Sequence, residues 1–224
     1  MPRLIVITGT DTGAGKTVLT ALLARHLRNK SVNVAALKPL CSGGRDDARM
    51  LRAAAGTDLS LDEVNPWHFR AALAPTVAAR REKRSVNLRE VVAHIWNISH
   101  RFELVLVEGA GGLLSPLGER FSTRELIAAL SGADVLIAAH NRLGVINHVR
   151  LTMEALPPIV ASRTKVALMS PPRRDAASES NLDLLREFVP PDHMAVIPRF
   201  RKTDDLDHML RQTRVRRALD ALLK

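Results

Sequence analysis

Six short apolar runs recur along the chain, and amphipathic stretches separate them. The runs are LIVIT (4–8), VAALK (34–38), LVLVE (104–108), VLIAA (135–139), VALM (166–169) and the shorter AVIP (195–198). Each is too short for a helix and nearly continuous in its apolar character, which is the pattern of a strand buried on both faces. Between them, Leu19, Leu22, Leu23 and Leu27 fall on one face of a helix beginning near Gly15. Val91, Val92, Ile95 and Ile98 do the same before the third run, and helical patterns over 123–131, 145–156 and 182–189 complete the series. Strand–helix alternation of this kind predicts right-handed crossovers and an α/β fold, a mostly parallel central sheet with helices on both faces. Composition agrees: apolar residues are 46%, aromatics only 3% and tyrosine is absent, so the core must be Ala, Leu, Val and Ile, which suits helices on a sheet better than a β-sandwich. A single domain over residues 1–224 is expected. The stretch SPPRRDAASES (170–180) is the expected mobile loop, and the proline pairs at 157–158 and 190–191 are expected to end helices.

The first run ends in a glycine-rich turn within VITGTDTGAGKTVL (6–19). The commonest phosphate-binding loop has a glycine five residues before Gly15. Thr10 stands there, and the glycine comes one step earlier, at Gly9, so this loop is one residue longer. The context is intact: strand, glycine turn, then Gly-Lys-Thr opening a helix. Gly9, Gly13 and Gly15 let backbone amides curl around an anion. The helix start adds unpaired N–H groups and a positive dipole end. Lys16 is placed to reach outer phosphates, and Thr17 to offer a hydroxyl to Mg²⁺.

Other residues point to the same end of the sheet. Lys38 closes the second run, where ligands bind in open α/β sheets, and reads as a second cation or as a solvated strand-end lysine. Asp46 and Asp47 open a helical pattern, where acids can serve as caps. Glu108 ends the third run, and a carboxylate there is costly unless a cation meets it. Thr17, Glu108 and an aspartate form an oxygen donor set suited to Mg²⁺. The stretch 141–156 reads as a loop entering a helix, whose exposed amides from Gly144 to Asn147 suit an anion.

The stretches GTDTGAGKT (9–17), LKPLCSGG (37–44), VEGAGG (107–112) and NRLGVINH (141–148) together resemble the dethiobiotin synthetase family, VEGAGG word for word. NPWHF (65–69) with Pro75 resembles a further segment that lines the family's substrate channel. The resemblance implies the P-loop-containing nucleoside triphosphate hydrolase fold and a cyclo-ligase that consumes ATP. The implied reaction carboxylates 7,8-diaminopelargonic acid with CO₂ to a carbamate, phosphorylates it to a carbamic-phosphoric anhydride, and closes the ring to dethiobiotin, ADP and phosphate. It implies Lys16 and Lys38 as catalytic, and Gly9, Thr12, Gly13, Ala14, Gly15, Lys16, Thr17 and Pro198 as nucleotide-binding. It implies Thr17, Asp47 and Glu108 as Mg²⁺ ligands, with Asp46 the alternative to Asp47 because the loop after Ser42 is short. Thr10, Asp11, Ser42 and Gly111 would contact the substrate. Leu143, Gly144, Ile146 and Asn147 would do so from the partner of a two-fold homodimer, their helix N-terminus binding the substrate's carboxylate tail. Three departures stand out. Gly13 and Ala14 replace a larger residue and a valine, and no asparagine for adenine occurs among Ala167, Leu168, Met169 and Ser170. Beyond Pro198, Arg199 and Phe200 are candidates to contact a base, or part of a solvated basic loop. The specific motifs fall within 3–150; residues 151–224 match by element order.

The net charge of +10 comes from 33 Lys+Arg against 23 Asp+Glu. Such a surface attracts nucleic acid, anionic lipid or small anions. Apart from ARREKR (79–84) and RVRR (214–217) it is spread out, and no aromatics interleave it, so neither a nucleic-acid nor a membrane partner is expected. Cys41 is alone, which fits a reducing compartment, and nothing beside it in sequence argues for a reactive thiol. No secretory leader pattern and no apolar run near the roughly 20 residues of a membrane span occurs, so a cytoplasmic location is expected. Three other functions stay open. An amide-forming synthetase of the cobyrinic acid type would need a glutamine-hydrolysing domain for which 224 residues leave no room. A partition-type ATPase binding DNA or membrane has a further lysine early in its loop, where this chain has Thr-Asp-Thr (10–12). Against a non-catalytic domain of the same fold stands the joint presence of Lys16, Thr17, Lys38, Asp47 and Glu108.

Overall fold

The structure is a computed structural model that describes residues 2–171, 173, 175–199 and 205–224. All six apolar runs form strands: β1 (Arg3–Gly9), β2 (Val34–Leu37), β5 (Leu104–Glu108), β8 (Asp134–His140), β9 (Thr164–Met169) and β10 (Met194–Ile197). They pair in parallel in the order β10-β9-β8-β1-β5-β2. Two small sheets lie beyond it, β3 (Leu40–Ser42) with β4 (Trp67–Phe69), and β6 (Pro116–Gly118) with β7 (Phe121–Ser122).

Alternate strand residues feed two separate cores. Leu4, Val6, Ala35, Leu37, Val105, Val107, Val135 and Ile137 pack on one face. Ile5, Ile7, Val34, Ala36, Leu104, Leu106, Leu136 and Ala138 pack on the other. This is why the strands read as unbroken apolar runs: period-two alternation disappears when both faces are covered. Each fully buried Leu, Ile or Val contributes roughly 1.5–3 kcal/mol relative to exposure.

The helices are α1 (Lys16–Asn29), α2 (Asp46–Ala55), α3 (Leu61–Val64), α4 (Pro75–Arg81), α5 (Leu88–Ser99), α6 (Thr123–Ala129), α7 (Val145–Glu154), α8 (Ala176–Leu185), α9 (Leu206–Arg211) and α10 (Thr213–Leu223). Reciprocal capping boxes start α3 at Ser60 with Glu63, α5 at Asn87 with Glu90 and α6 at Ser122 with Glu125.

Two expectations need correction. The stretch 170–180 is not wholly a loop, and the helix expected over 182–189 starts earlier. Asp175 accepts from the Ser178 N–H at 2.7 Å, and that box opens α8 at Ala176. The proline pairs stand past the helix ends, and each opens a short 3-10 turn, Pro158–Arg163 and Pro191–His193. The basic run 214–217 is part of α10, which turns Val215, Leu219 and Leu222 inward and its arginines outward. Among the described residues, no helix is long and apolar enough to cross a membrane.

Register places the chemistry. Ile7 pairs with Glu108, and Leu37 pairs with Val107, so Lys38 follows directly into the position beside Glu108. The carboxyl ends of β1, β5 and β2 thus bring together residues far apart in the sequence.

Candidate functional site

The glycine turn between β1 and α1 is wound for an anion. Gly13 and Gly15 have φ of +74° and +93°, and Gly15 caps α1 in the left-handed region. A Cβ at Gly15 would lie 2.9 Å from Met169 Cγ. Gly15→Ala should therefore lose roughly 1–2 kcal/mol from its left-handed backbone alone, with a further loss from the Met169 clash. Urea denaturation measures this, and unchanged stability would contradict the geometry. In the loop, the Lys16 ammonium donates to the Asp11 carbonyl at 3.0 Å and the Thr12 N–H to Asp11 Oδ1 at 2.6 Å. The Thr10 N–H is tied to the Ala138 carbonyl of β8 at 3.1 Å. Burial pushes the Lys16 ammonium down to about 8, with Glu108 opposing and Lys38 adding to the depression.

Beside the loop lies a compact charged cluster. Glu108 Oε1 accepts from Thr17 Oγ1 at 2.7 Å and from Lys38 Nζ at 2.5 Å, and Lys38 Nζ also donates to Asp47 Oδ2 at 2.8 Å. The side chains of Glu108 and Lys38 are 0% and 7% exposed, and that of Asp47 is 52% exposed. Burial alone would lower the Lys38 ammonium, but Glu108 and Asp47 outweigh it and hold it above the ordinary lysine value. Burial would raise the Asp47 carboxyl, and Lys38 outweighs that and holds it below. The buried carboxylate at the end of the third run, read from the sequence as a ligand of Mg²⁺, is met here by the Lys38 ammonium. Of the two aspartates, Asp47 faces the cluster, whereas Asp46 pairs with Arg49 at 2.7 Å on the surface.

Does this donor set fit a divalent ion? Among the described residues, no group of three or more His, Cys, Asp and Glu is placed to hold one. The cluster offers instead two carboxylates and the Thr17 hydroxyl, and among the described residues Glu108 Oε2 is buried with no hydrogen-bond partner. An orphaned buried carboxylate oxygen among hard oxygen donors fits Mg²⁺, which keeps water or phosphate in its remaining positions.

The loop after β5 packs against the phosphate loop. Gly111 has φ of +72°, and a Cβ on Gly112 would lie 3.4 Å from the Thr10 carbonyl. Ser115 Oγ accepts the Gly112 N–H at 2.9 Å. A cavity of about 370 Å³ opens here, lined by Thr10, Asp11, Gly112, Ser115, His148 and Leu151 among others. Ser42 donates its hydroxyl to the Leu73 carbonyl at 2.5 Å.

The structure does not bring every candidate together. Among the described residues, no hydrogen bond or ion pair joins Leu143, Gly144, Ile146 or Asn147 to Lys16, Lys38 or Glu108. Leu143 is 83% exposed, and Gly144 caps α7 in the left-handed region. Pro198 follows β10, whose Ile197 carbonyl accepts the Ser170 N–H at 2.9 Å, so the two segments expected to border a base are neighbours. Ala14 is buried and Arg199 is exposed, while Phe200 lies outside the described residues. Cys41 is buried, and burial pushes its thiol up. Three residues beside the site escaped the sequence reading: Asn65, bonded to the Lys38 carbonyl, Arg45, bonded to Asn65, and His148, which lines the cavity. Asn65 and His148 lay inside quoted motifs, but nothing in a single sequence tells a contact residue from a turn residue there.

Comparison with known proteins follows the same lines. The AAA domain family model matches residues 3–206. The chain is 40% identical over 154 residues to an ATP-dependent dethiobiotin synthetase of Akkermansia muciniphila, covering 69% of this chain and 72% of that protein. It is 44% identical over 158 residues to one of Anaeromyxobacter dehalogenans, covering 69% and 70%. Over 213 residues, 92% of this chain and 90% of the other, it is 34% identical to one of Bacillus licheniformis. Among solved structures, a ParA family ATPase of Chlorobium tepidum aligns with a TM-score of 0.60 at 13% identity over 100% and 99% of the two chains. A chain of the MinC:MinD cell division protein complex of Aquifex aeolicus aligns with a TM-score of 0.62 at 16% identity over 99% and 94%. At such identities these two structures speak to the fold alone, that of the P-loop nucleoside triphosphatases.

Proposed function

The chain belongs to the family of ATP-dependent dethiobiotin synthetases, carbon–nitrogen ligases, and from that premise we propose that it closes a cyclic urea on 7,8-diaminopelargonic acid with CO₂ and ATP. The observation that carries the reading is a pair of buried lysines beside Glu108: Lys38, bonded to it just past the end of β2, and Lys16, at the start of α1 and within its electrostatic reach.

The roles follow from charge and reach. Amides from Gly9 to Thr17, with Thr12, Gly13, Ala14 and Gly15, cradle the phosphates, and Pro198 borders the nucleotide. Lys16 leaves the Asp11 carbonyl for the outer phosphates. Thr17, Asp47 and Glu108 would hold Mg²⁺, which when bound neutralises phosphate charge. One amine of the diamine adds to CO₂ to form a carbamate, whose oxygen faces Lys38. That oxygen attacks the γ-phosphorus, ADP leaves, and the anhydride forms. The second amine then attacks the carbonyl carbon and phosphate departs, which closes the ring. Little covalent help from protein is required, since phosphoryl transfer depends on positioning and charge stabilisation. Thr10, Asp11, Ser42 and Gly111 border the acceptor. Its carboxylate tail meets amides at the start of α7, with Leu143, Gly144, Ile146 and Asn147, supplied by the second subunit of a homodimer. The exposure of Leu143 and the open helix start support that arrangement. The proposed location is cytoplasmic.

Lys16 also sets a pH dependence. With its ammonium pushed down to about 8 in the free protein, about half a proton is missing at pH 8. Phosphate oxygens favour the ammonium, so nucleotide binding should take up about half a proton at pH 8 and weaken as pH rises above that value. Calorimetry in buffers of different ionisation enthalpy measures the uptake. Binding with no proton exchange in the wild type would contradict the assignment.

The function itself is tested by phosphate release from purified protein with Mg²⁺, bicarbonate and ATP, CTP or GTP. Release that requires the diamine is the expected result. Release stimulated by DNA or lipid vesicles instead would favour a partition-type ATPase, and no release with any triphosphate would favour a non-catalytic domain.

A further inference from the structure

Asn65 is 1% exposed, yet it carries a carboxamide where an apolar residue would be the cheaper filling. Every partner of that carboxamide among the described residues lies in one segment, 38–45. Nδ2 donates to the Lys38 carbonyl at 2.7 Å and approaches the Pro39 carbonyl at 3.4 Å. Oδ1 accepts from Cys41 Sγ at 3.0 Å and from Arg45 Nε at 3.1 Å. The neighbouring residue completes the grip, because the Val64 carbonyl accepts the Lys38 N–H at 3.0 Å. Both peptide groups flanking the Lys38 Cα are thus fixed by two consecutive residues. Arg45 closes the far end of the segment onto the Leu61 and Asn65 carbonyls at 2.7 and 2.9 Å.

We infer that Asn65 is a positioning residue that clasps segment 38–45 and thereby aims Lys38 at the reacting centre. The side chain must donate at one end and accept at the other across a fixed fork. Asparagine meets that need in the space available, aspartate cannot donate, and leucine does neither. Lys38 has a flexible four-carbon stem, so its ammonium is aimed only as well as its backbone is held. Among the described residues no hydrogen bond joins Asn65 to the phosphate loop, which separates its effect from nucleotide binding. The inference rests on the proposed function in one respect, that Lys38 acts on the acceptor.

The test compares the wild type with Asn65→Leu and Asn65→Asp. Hydrogen exchange by mass spectrometry should show residues 38–45 opening at least about tenfold faster in both variants, with residues 9–17 unchanged. Affinity for a non-hydrolysable ATP analogue should stay within about twofold, while diamine-dependent turnover falls about a hundredfold, the cost of misplacing a reacting group by an ångström. In a Lys38→Met background Asn65→Leu should cost nothing more, because the two residues act as one unit. The inference is overturned if exchange of 38–45 is unchanged, if Asn65→Asp retains full turnover, or if Asn65→Leu costs the same factor in both backgrounds. Should Asn65→Leu fail to fold, Asn65→Asp decides by the same measurements. A wild type without diamine-dependent turnover would sink the proposed function instead, and the exchange data alone would then decide the clasp.

Discussion

Lys16→Ala should lower diamine-dependent phosphate release about a thousandfold or more, the effect of removing a charged group that acts only on the developing transition state. The same variant should melt no lower than the wild type. Lys16 is buried, and burial depresses its ammonium to about 8, so in the empty protein this side chain is held at a cost. Its single described acceptor is the Asp11 carbonyl, and alanine at the first position of α1 suits the helix. Loss of activity joined to undiminished stability is the mark of a residue placed for a ligand. Wild-type turnover in Lys16→Ala would refute the phosphate-loop assignment, and a large fall in melting temperature would show that Lys16 holds the fold.

Lys38→Met should have the opposite profile in stability and the same in activity. The variant leaves Glu108, whose side chain is 0% exposed, without the ammonium that meets Oε1. Breaking one side of a buried pair costs about 3–5 kcal/mol, because a charge remains buried without its counterion. Denaturant titration should show a loss of that size, and turnover should fall about a thousandfold. Adding Glu108→Gln removes the stranded charge, so the double variant should regain most of the stability and none of the activity. That divergence separates the energetic role of the pair from its chemical one. A Lys38→Met protein as stable as the wild type would show that the buried pair contributes little, and an active double variant would remove both residues from the mechanism.

The fold was legible because its strands are buried on both faces. A run such as LIVIT has no alternation to confuse the reading, and Gly15-Lys16-Thr17 fixes where the first helix begins. The small sheet of β3 with β4 was not legible, since three residues such as LCS carry no period. The start of α8 was hidden because Asp175 forms its box with Ser178, where glutamate or glutamine is the commoner partner. Within the site, Glu108 announced itself as a buried acid needing a cation and was assigned to Mg²⁺, but its pairing with Lys38 was not foreseen. Lys38 is 70 residues away, and only the pairing of Leu37 with Val107 brings it to Glu108. Asp46 and Asp47 are equal on paper; helix geometry turns one to Arg49 and the other to Lys38. Asn65 was invisible as a site residue because its role lies in hydrogen bonds to a segment that precedes it by more than a helix length.

The most direct test of the proposed chemistry is a crystal structure with a non-hydrolysable ATP analogue, Mg²⁺ and the diamine. The account predicts the terminal phosphorus between the ammonium groups of Lys16 and Lys38, with the metal ion on Thr17, Asp47 and Glu108. A triphosphate bound elsewhere, or Lys38 still locked on Glu108 and Asp47 with the phosphorus out of its reach, would contradict it.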